Sequence, residues 1–370
     1  MIIYFIVFIL SFGMALFAEK FYISKNKTLF IFFSFMAILI PSIMAGMRGI
    51  NVGTDTKYYI SNVFSLVQNC NSLLEAIKLI YLNLNIEPLY TFINYSCFKI
   101  FGNNIHTLYF LLEFIMLFFI YMACIDNKND KNKFSLMYLV FLLLFFNKSL
   151  NNCRQSIAIA ISLYSLKFVI NKKFFKYILF CLMAMCFHVS AAITIVIYPL
   201  FNYLNGKNKN FKKNLILLVS IICLCFYQEI LLFLINDLGI LDQKYLFYVV
   251  GGSGNILMLE FVFMLLIGLF LVFNRKRLKI KNENYLMLYF IGFIIYCIGF
   301  FSNYAWRLGY FFYYTIIFLL PNIECKLVLN SKKISINVII IILLFMYSYK
   351  YYDINLFDET VPYYIEKNQL

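Results

Sequence analysis

Charged residues are scarce in this chain, and acidic residues and histidines are the scarcest. Of its 370 residues 13% are charged, with 17 Asp and Glu and two His, whereas 63% are hydrophobic and the mean hydropathy is +0.82. A soluble domain needs a far more polar surface, so the composition excludes that class. The apolar residues recur in runs of about 15 to 20, the length of a helix that crosses a bilayer, without the alternation of barrel strands. We therefore predict an all-α polytopic integral membrane protein.

The ten cysteines form no CxxC pairs and no metal-binding pattern with histidine, and most of them lie in apolar runs. We interpret these cysteines as small buried side chains, and predict neither a metal nor a cofactor. The net charge is +15, but the sequence contains no basic stripe with interleaved aromatic residues. We therefore interpret the basic residues as cytoplasmic anchors and predict no nucleic-acid partner. The first apolar run has neither a positive n-region nor a small-residue cleavage site, so we read it as a retained span.

Basic clusters predict the orientation, because Lys and Arg in short loops stay cytoplasmic. If the clusters face the cytoplasm, the segments between them emerge outside, and both termini lie outside with them. The clusters occupy residues 19–28, 125–133, 171–177, 206–213, 274–281 and 326–333. The predicted outer segments are the loop region 46–104, then 150–154, 236–256, 302–307 and the tail 350–370.

The apolar stretch 178–201 is long enough for only one span, yet a single crossing would place one of its two flanking basic clusters outside. Basic clusters flank 178–201 on both sides, so we predict a broken helical hairpin that turns near Phe187 and His188 and returns to the same face. The interrupted stretch 73–101 predicts amphipathic or re-entrant helices on the outer side. The result is about ten spans within a single transmembrane domain, residues 1–370.

Arginine is rare and unevenly placed. Arg275 and Arg277 belong to a cytoplasmic cluster, but Arg48, Arg154 and Arg307 fall at outer ends of spans, against the positive-inside trend. Because the guanidinium fork grips phosphate bidentately, three outer arginines predict an anion site. The alternative is interfacial snorkelling, or pairing with Asp55 or Glu87.

Few groups on the predicted outer side can do acid or base work, namely Asp55, Glu87 and His188 and, more remotely, Asp237, Asp242 and Glu260. His188 lies in an apolar run and is costly to bury, so we favour a functional role over a core histidine. His106 is interpreted as a helix cap or interface residue. Glu113, in the middle of a span, should face a partner or a cavity.

Six motifs in order resemble the EpsG/Wzy-like bacterial polysaccharide polymerase family over nearly the whole chain. They are "RGINVGTDTKYY" (48–59), "EPLY" (87–90), "NNCRQSIAIAI" (151–161), "CFHVSA" (186–191), "WRLGYFF" (306–312) and "VPYY" (361–364). The resemblance implies polymerisation of undecaprenyl-pyrophosphate-linked oligosaccharide repeat units on the outer face of the bacterial cytoplasmic membrane. Membrane lipids would surround the enzyme, and flippase and chain-length regulator proteins are candidate partners.

Such a reaction needs a stabilised pyrophosphate leaving group and a proton acceptor for the attacking sugar hydroxyl. Arg48, Arg154 and Arg307 could supply the first without a metal. Asp55 is our first candidate for the base, and His188 the second. The candidate substrate-binding residues are Thr54, Thr56, Tyr58, Glu87, Gln155, Ser190 and Tyr310, the last from the late R-x-x-Y motif.

Two other classes compete with a polymerase. An O-antigen-ligase-like transferase would use one lipid donor and a different acceptor, with the same anion site and base. A polysaccharide or lipid transporter would carry no chemistry, and should show polar residues or broken helices near the midplane of two corresponding halves.

Overall fold

The computed structural model is helical and divides into two compact units, Met1–Ala192 with Cys325–Leu370, and Ile193–Glu324. The structure describes residues 1–128, 134–204, 208–237, 239, 246, 256–278, 284–302, 304–323, 326–329 and 332–365, without the side chains of 58, 59, 209, 326–329 and 332–335. Much of the predicted outer segment 236–256 lies outside this description. Each unit is considered by itself, and the predicted single domain stays a prediction.

The first unit contains the long helices. Its helices are α1 (Ile2–Ile23), α2 (Lys27–Gly46), α3 (Ser61–Gln68), α4 (Leu73–Leu84), α5 (Pro88–Phe101), α6 (Ile105–Asn127), α7 (Phe134–Asn151), α8 (Cys153–Ile170), α9 (Phe174–Met185) and, last in the chain, α17 (Ile336–Ser348). π-Helices cover Thr56–Ile60 and Tyr349–Ile354, a 3₁₀ helix starts at Val189 and a kinked 3₁₀ turn covers Phe357–Glu359. A short antiparallel hairpin, β1 (Lys326–Leu329) and β2 (Lys332–Ser335), accompanies the helices.

The second unit is built from shorter helices. They are α10 (Ile197–Leu204), α11 (Lys209–Cys225), α12 (Tyr227–Leu232), α13 (Met258–Phe273), α14 (Asn284–Tyr296), α15 (Tyr310–Tyr313) and α16 (Ile316–Leu319). A π-helix covers Phe233–Asp237, and 3₁₀ segments cover Arg275–Arg277, Cys297–Phe300, Ala305–Gly309 and Leu320–Asn322. The 3₁₀ helix Val189–Val196 leads into α10 from the first unit.

Six helices of the described chain are long and apolar enough to cross a membrane, and a pair bent by 74° at Phe226 makes a seventh if it counts as one span. Four other apolar helices have 10–17 residues. These helices confirm a helical membrane protein, whereas the number of about ten spans stays a prediction. Near the predicted hairpin, α9 ends at Met185 and the 3₁₀ helix begins at Val189, so the break falls at Cys186–His188.

Helix α7 is the centre of the first unit. Its sequence is apolar on all sides, as expected of a helix without a lipid-facing surface, and 94% of it is buried. It packs against α1, α6, α8 and α17. Buried hydroxyls join neighbouring helices, since Ser11 and Tyr138 both donate to the carbonyl of Ala37, at 2.6 and 3.1 Å.

Local signals explain the break in 73–101. Asn85 ends α4 in the left-handed conformation at φ 54°, a common way to close a helix. Pro88 then occupies the first turn of α5, where its missing N–H costs nothing. Both helices are too short for a clean span, as the interrupted sequence indicates. Their amphipathic or re-entrant character and their side of the membrane stay predictions.

Both described termini of the first unit lie at one end of the bundle, which we call the Asn151 end. There the Met1 amino group binds Asp353 at 3.1 Å, and His106 Nδ1 lies 2.9 Å from the Gly46 carbonyl, in keeping with an interface role. The opposite end carries the ion pair between Lys167 and Asp126 at 3.0 Å.

The cysteine prediction is wrong in part. The described cysteines are all free, and several are buried, but Cys223 and Cys225 are exposed on α11. Their apolar surroundings in the sequence indicate membrane contact as readily as a protein core.

Candidate active site

The segment after α2 forms a tight loop that the sequence predicts to be functional. Gly53 has φ +87°, and a Cβ there would approach the carbonyl of Leu150 to 3.2 Å, so both conformation and space require glycine. Thr56 is buried, and its hydroxyl donates to the carbonyl of Val52 at 2.9 Å. In this structure Thr56 therefore stabilises the loop, and its proposed contact with sugar stays a prediction. The side chain of Tyr58 lies outside the described residues.

Asn151, the last residue of α7, holds this loop. Its side-chain carbonyl accepts from the Thr54 hydroxyl at 2.8 Å and from the backbone N–H of Asp55 at 3.0 Å. Its amide nitrogen donates to Asp358 in the C-terminal tail at 3.2 Å. The backbone at Asp55 is therefore fixed at the junction of α7 and α8.

Arg48 lies beneath the tail rather than at the surface. Its side chain is 1% exposed, its guanidinium carbon is 4.8 Å from the ring centroid of Tyr109, and its Nε and Nη1 have no hydrogen-bond partner within the described residues. Its charge interacts with Glu113, which accepts from the Ser149 hydroxyl at 2.8 Å. Arg48 and Ser149 are therefore the partners of Glu113, which the sequence predicts to have a partner or a cavity but does not identify. Burial raises the pKa of Tyr363 in the tail to about 12, and Arg48 opposes that shift.

Arg154, in the first turn of α8, is ion-paired. Its Nη1 lies 2.6 Å from Glu87 Oε2, so pairing, the alternative to anion binding in the sequence, is present in the structure. Glu87 Oε1 accepts from the backbone N–H of Val189 at 3.0 Å, directly after the break that follows α9. The guanidinium carbon of Arg154 is also 5.8 Å from the ring centroid of Tyr90.

Tyr90 connects this ion pair to the loop. Its side chain is buried, and Arg154 and Asp55 both lie close enough to influence its pKa. Burial raises the pKa of the phenol far above its usual range, so Tyr90 stays protonated. The residue lies in the "EPLY" motif, but an apolar aromatic surrounded by many others gives no signal of this position in the sequence.

His188 lies beside the ion pair, and its tautomer follows from its contacts. Its Nδ1 is 3.3 Å from the backbone N–H of Ser190, which can only donate, and 2.6 Å from the Ser190 hydroxyl. This geometry suits Nδ1 as an acceptor, and in that tautomer the ring N–H is at Nε2.

The structure thus brings together most of the predicted site residues of the first unit at the Asn151 end. This cluster, which we call the polar cluster, consists of Thr54, Asp55, Glu87, Arg154, His188 and Ser190. Gln155 is buried next to Arg154 in the chain. No group of three or more His, Cys, Asp or Glu in the described part of the chain is arranged to hold a metal ion.

Arg307 and Tyr310 belong to the second unit and have their own surroundings. The Arg307 guanidinium carbon lies 4.7 Å from the ring centroid of Tyr304. Tyr310 is buried, and its hydroxyl donates to Glu260 at 2.9 Å; Tyr296 also donates to Glu260, at 3.2 Å. The convergence of Arg307 with the other two arginines stays a prediction.

The sequence analysis missed the polar end of α7. Within "FFNKSLNN" the side chains of Asn147, Lys148, Ser149 and Asn151 are all buried. Three of them reach different elements, since Asn147 donates to Thr360 at 3.0 Å in the tail, while Ser149 and Asn151 hold α6 and the loop. A run of polar residues at the end of an otherwise apolar span is the signal that could have found them.

The apolar helices define a helical membrane protein, and the carboxylate, imidazole and guanidinium groups at one end of the bundle are a candidate reaction or binding site. The chain belongs to the EpsG family, whose model matches residues 31–364, and this confirms the predicted resemblance. The family consists of bacterial, polysaccharide-polymerase-like membrane proteins. No curated protein and no solved structure matches the chain.

Proposed function

We propose that this protein polymerises oligosaccharide repeat units carried on undecaprenyl pyrophosphate, by glycosyl transfer on the outer face of the cytoplasmic membrane. The observation that carries the proposal is the polar cluster, which holds Asp55 and His188 beside Arg154 in a chain of the EpsG family. The basic clusters 19–28 and 171–177 support the outer location, because they lie at the ends of α1 and α8 that are opposite the Asn151 end.

In the proposed reaction the hydroxyl of an acceptor sugar attacks the anomeric carbon of the donor repeat unit. A glycosidic C–O bond forms, and the bond from the anomeric carbon to the pyrophosphate oxygen breaks. The electron pair leaves with the lipid pyrophosphate, and the hydroxyl proton passes to the Asp55 carboxylate. Arg154 stabilises the negative charge on the leaving group.

The contacts of His188 support Asp55 as the base. A base needs an open lone pair, and the Nδ1 lone pair of His188 is engaged by Ser190. The Nε2–H is a donor, which suits a hydrogen bond to a sugar or phosphate oxygen. We therefore assign proton abstraction to Asp55, and hydrogen-bond donation to His188.

The deciding experiment uses the purified protein and lipid-linked oligosaccharide extracted from cells of the source strain that lack this protein. A ladder of products differing by one repeat unit supports polymerisation. A single transfer to another acceptor would instead indicate a ligase, and movement of intact substrate across vesicles without a new bond would indicate a transporter. We expect the ladder to form without added metal or cofactor, and ladder formation that depends on a divalent cation would contradict this expectation. Flippase and chain-length regulator proteins would act before and beside this step.

A further inference from the structure

The contact that holds Asp55 depends on a side chain that could point either way. Asn151 is 5% exposed, and its amide oxygen and nitrogen occupy nearly the same volume. The oxygen faces two donors, the Thr54 hydroxyl at 2.8 Å and the Asp55 N–H at 3.0 Å. A flipped amide would present its own NH₂ group to these donors, and both hydrogen bonds would be lost.

Asp358 determines which orientation the amide adopts. The Asn151 nitrogen lies 3.2 Å from Asp358 Oδ1, and an ionised carboxylate only accepts hydrogen bonds. The carboxylate therefore attracts the NH₂ group and leaves the oxygen of Asn151 facing the loop.

The tail keeps Asp358 in place through its neighbours. The backbone N–H of Gly53 donates to the carbonyl of Glu359 at 2.9 Å. The hydroxyl of Tyr4 donates to the carbonyl of Thr360 at 2.7 Å. Asp358 itself has φ 67°, a conformation that Asn tolerates as well as Asp, so it can be exchanged for Asn without backbone strain.

We infer that Asn151 and Asp358 are a positioning pair for Asp55: Asp358 sets the orientation of the Asn151 amide, and the amide sets the position of the loop that carries the base. The inference rests on the proposed function, and it gives the C-terminal tail a part in the reaction. Neither residue contacts the reacting atoms.

A polarity swap tests the pair. Asn151→Asp keeps an acceptor for the loop but places a second carboxylate against Asp358, and the two repel. In the double variant with Asp358→Asn, the new amide donates to the new carboxylate, so the contact is restored in reverse. The rate of ladder formation from the extracted lipid-linked oligosaccharide is measured at saturating and limiting substrate, together with thermal unfolding in detergent.

We expect Asn151→Asp to lower kcat by about 10-fold to 100-fold with little change in KM, because misplacing a catalytic group costs rate rather than binding. The double variant should return close to the wild-type rate. Asp358→Ala should lower kcat, and Asp358→Asn alone should be mild, because its amide can turn an oxygen toward Asn151. Asn355→Asp, which adds the same charge to an exposed part of the tail, is the matched control.

The outcomes separate this inference from the proposed function. If the wild type makes a ladder but the double variant is no faster than Asn151→Asp, the positioning pair is overturned and the proposed function is not. A wild-type protein that makes no ladder overturns the proposed function, and the pair with it. If Asn151→Asp does not fold, the Asp358 series decides, and equal rates for Asp358→Ala and the wild type overturn the pair.

Discussion

Two of the three arginines predicted to bind an anion already face a carboxylate inside the protein. Arg154 is 2.6 Å from Glu87, and the buried Arg48 interacts with Glu113. A guanidinium has five N–H donors, so the ion pair with Glu87 does not by itself prevent Arg154 from binding a phosphate. Arg48 is 1% exposed and would need the tail to move before it met a ligand. Arg154 is therefore the stronger candidate for the leaving group.

Replacing Asp55 separates the base from a structural ion pair. We expect Asp55→Asn to fold normally and bind the lipid donor, yet to elongate about 10²-fold to 10⁴-fold more slowly, because loss of a general base affects the rate and not donor binding. His188→Asn should be milder, since it leaves the base in place and its shorter amide still carries an N–H donor. Initial rates of ladder formation and donor binding are measured for both, with Lys57→Gln as an exposed control on the same loop. If Asp55→Asn elongates at nearly the wild-type rate while His188→Asn is inactive, the base must be assigned to His188 instead.

Exchanging Arg154 for lysine tests the guanidinium fork. Arg154→Lys can retain a pair with Glu87 through its single ammonium, but it cannot bind a phosphate bidentately. We expect the polymerisation rate to fall by about 10²-fold at a normal expression level, as for the loss of one preorganised donor to a leaving group. Arg275→Lys, on an exposed segment of the second unit, is the matched control. If Arg154→Lys makes full-length polymer at the wild-type rate, bidentate phosphate binding by Arg154 is contradicted, and only its ion pair with Glu87 remains as a role.

At the scale of elements, the end of α7 organises the first unit. Asn147, Ser149 and Asn151 bind the tail, α6 and the loop in turn, so one helical turn fixes three elements. Buried polar groups of this kind are stabilising only when each finds a partner. The same turn precedes Arg154, which explains how a site assembled from distant segments stays in register.

Close packing in the second unit depends on two glycines of α14 and the segment before α15. A Cβ on Gly292 would lie 2.6 Å from the backbone nitrogen of Tyr313, and one on Gly309 would lie 2.5 Å from the carbonyl oxygen of Gly292. We expect Gly292→Ala and Gly309→Ala to destabilise the protein by about 1–3 kcal/mol, as overpacking does. Thermal unfolding in detergent measures the loss. Gly13→Ala is the control, because a Cβ there meets nothing within 4 Å, and it should be neutral. Equal stability of all three variants would contradict the close packing.

Hydropathy and local turn residues predicted the helices, but not the contacts that complete the site. The spans follow from apolar runs, and the break before α5 follows from Asn85 and Pro88, all of which are local signals. The contact between Asn151 and Asp358 joins residues 207 positions apart. Whether Arg154 pairs with Glu87 or is free likewise depends on tertiary packing, so the sequence could only state both alternatives.

At the scale of the whole molecule, the predicted sidedness depends on the segment between α9 and α11. Both ends of this segment are basic, and α9 breaks after Met185 instead of continuing as one span. If the chain returns to the same face, the polar cluster and the tail lie outside. If the segment crosses the membrane once, the predicted orientation of the chain either before or after it must be reversed.

Two introduced cysteines decide between these arrangements. Phe175 is 86% exposed, and Asn208 is exposed at the start of α11, so Phe175→Cys and Asn208→Cys should be accessible to reagents. We expect both to resist a membrane-impermeant thiol reagent in intact protoplasts and to react in inside-out vesicles, because basic flanks stay cytoplasmic. The exposed Cys223 and Cys225 are first replaced by serine, so that they do not contribute to the signal.

Asn355→Cys, in the tail, should react in intact protoplasts and serves as the outside control. Labelling of positions 175 and 208 from opposite sides would mean a single crossing, and the outer location of the polar cluster would then have to be assigned again from the tail alone.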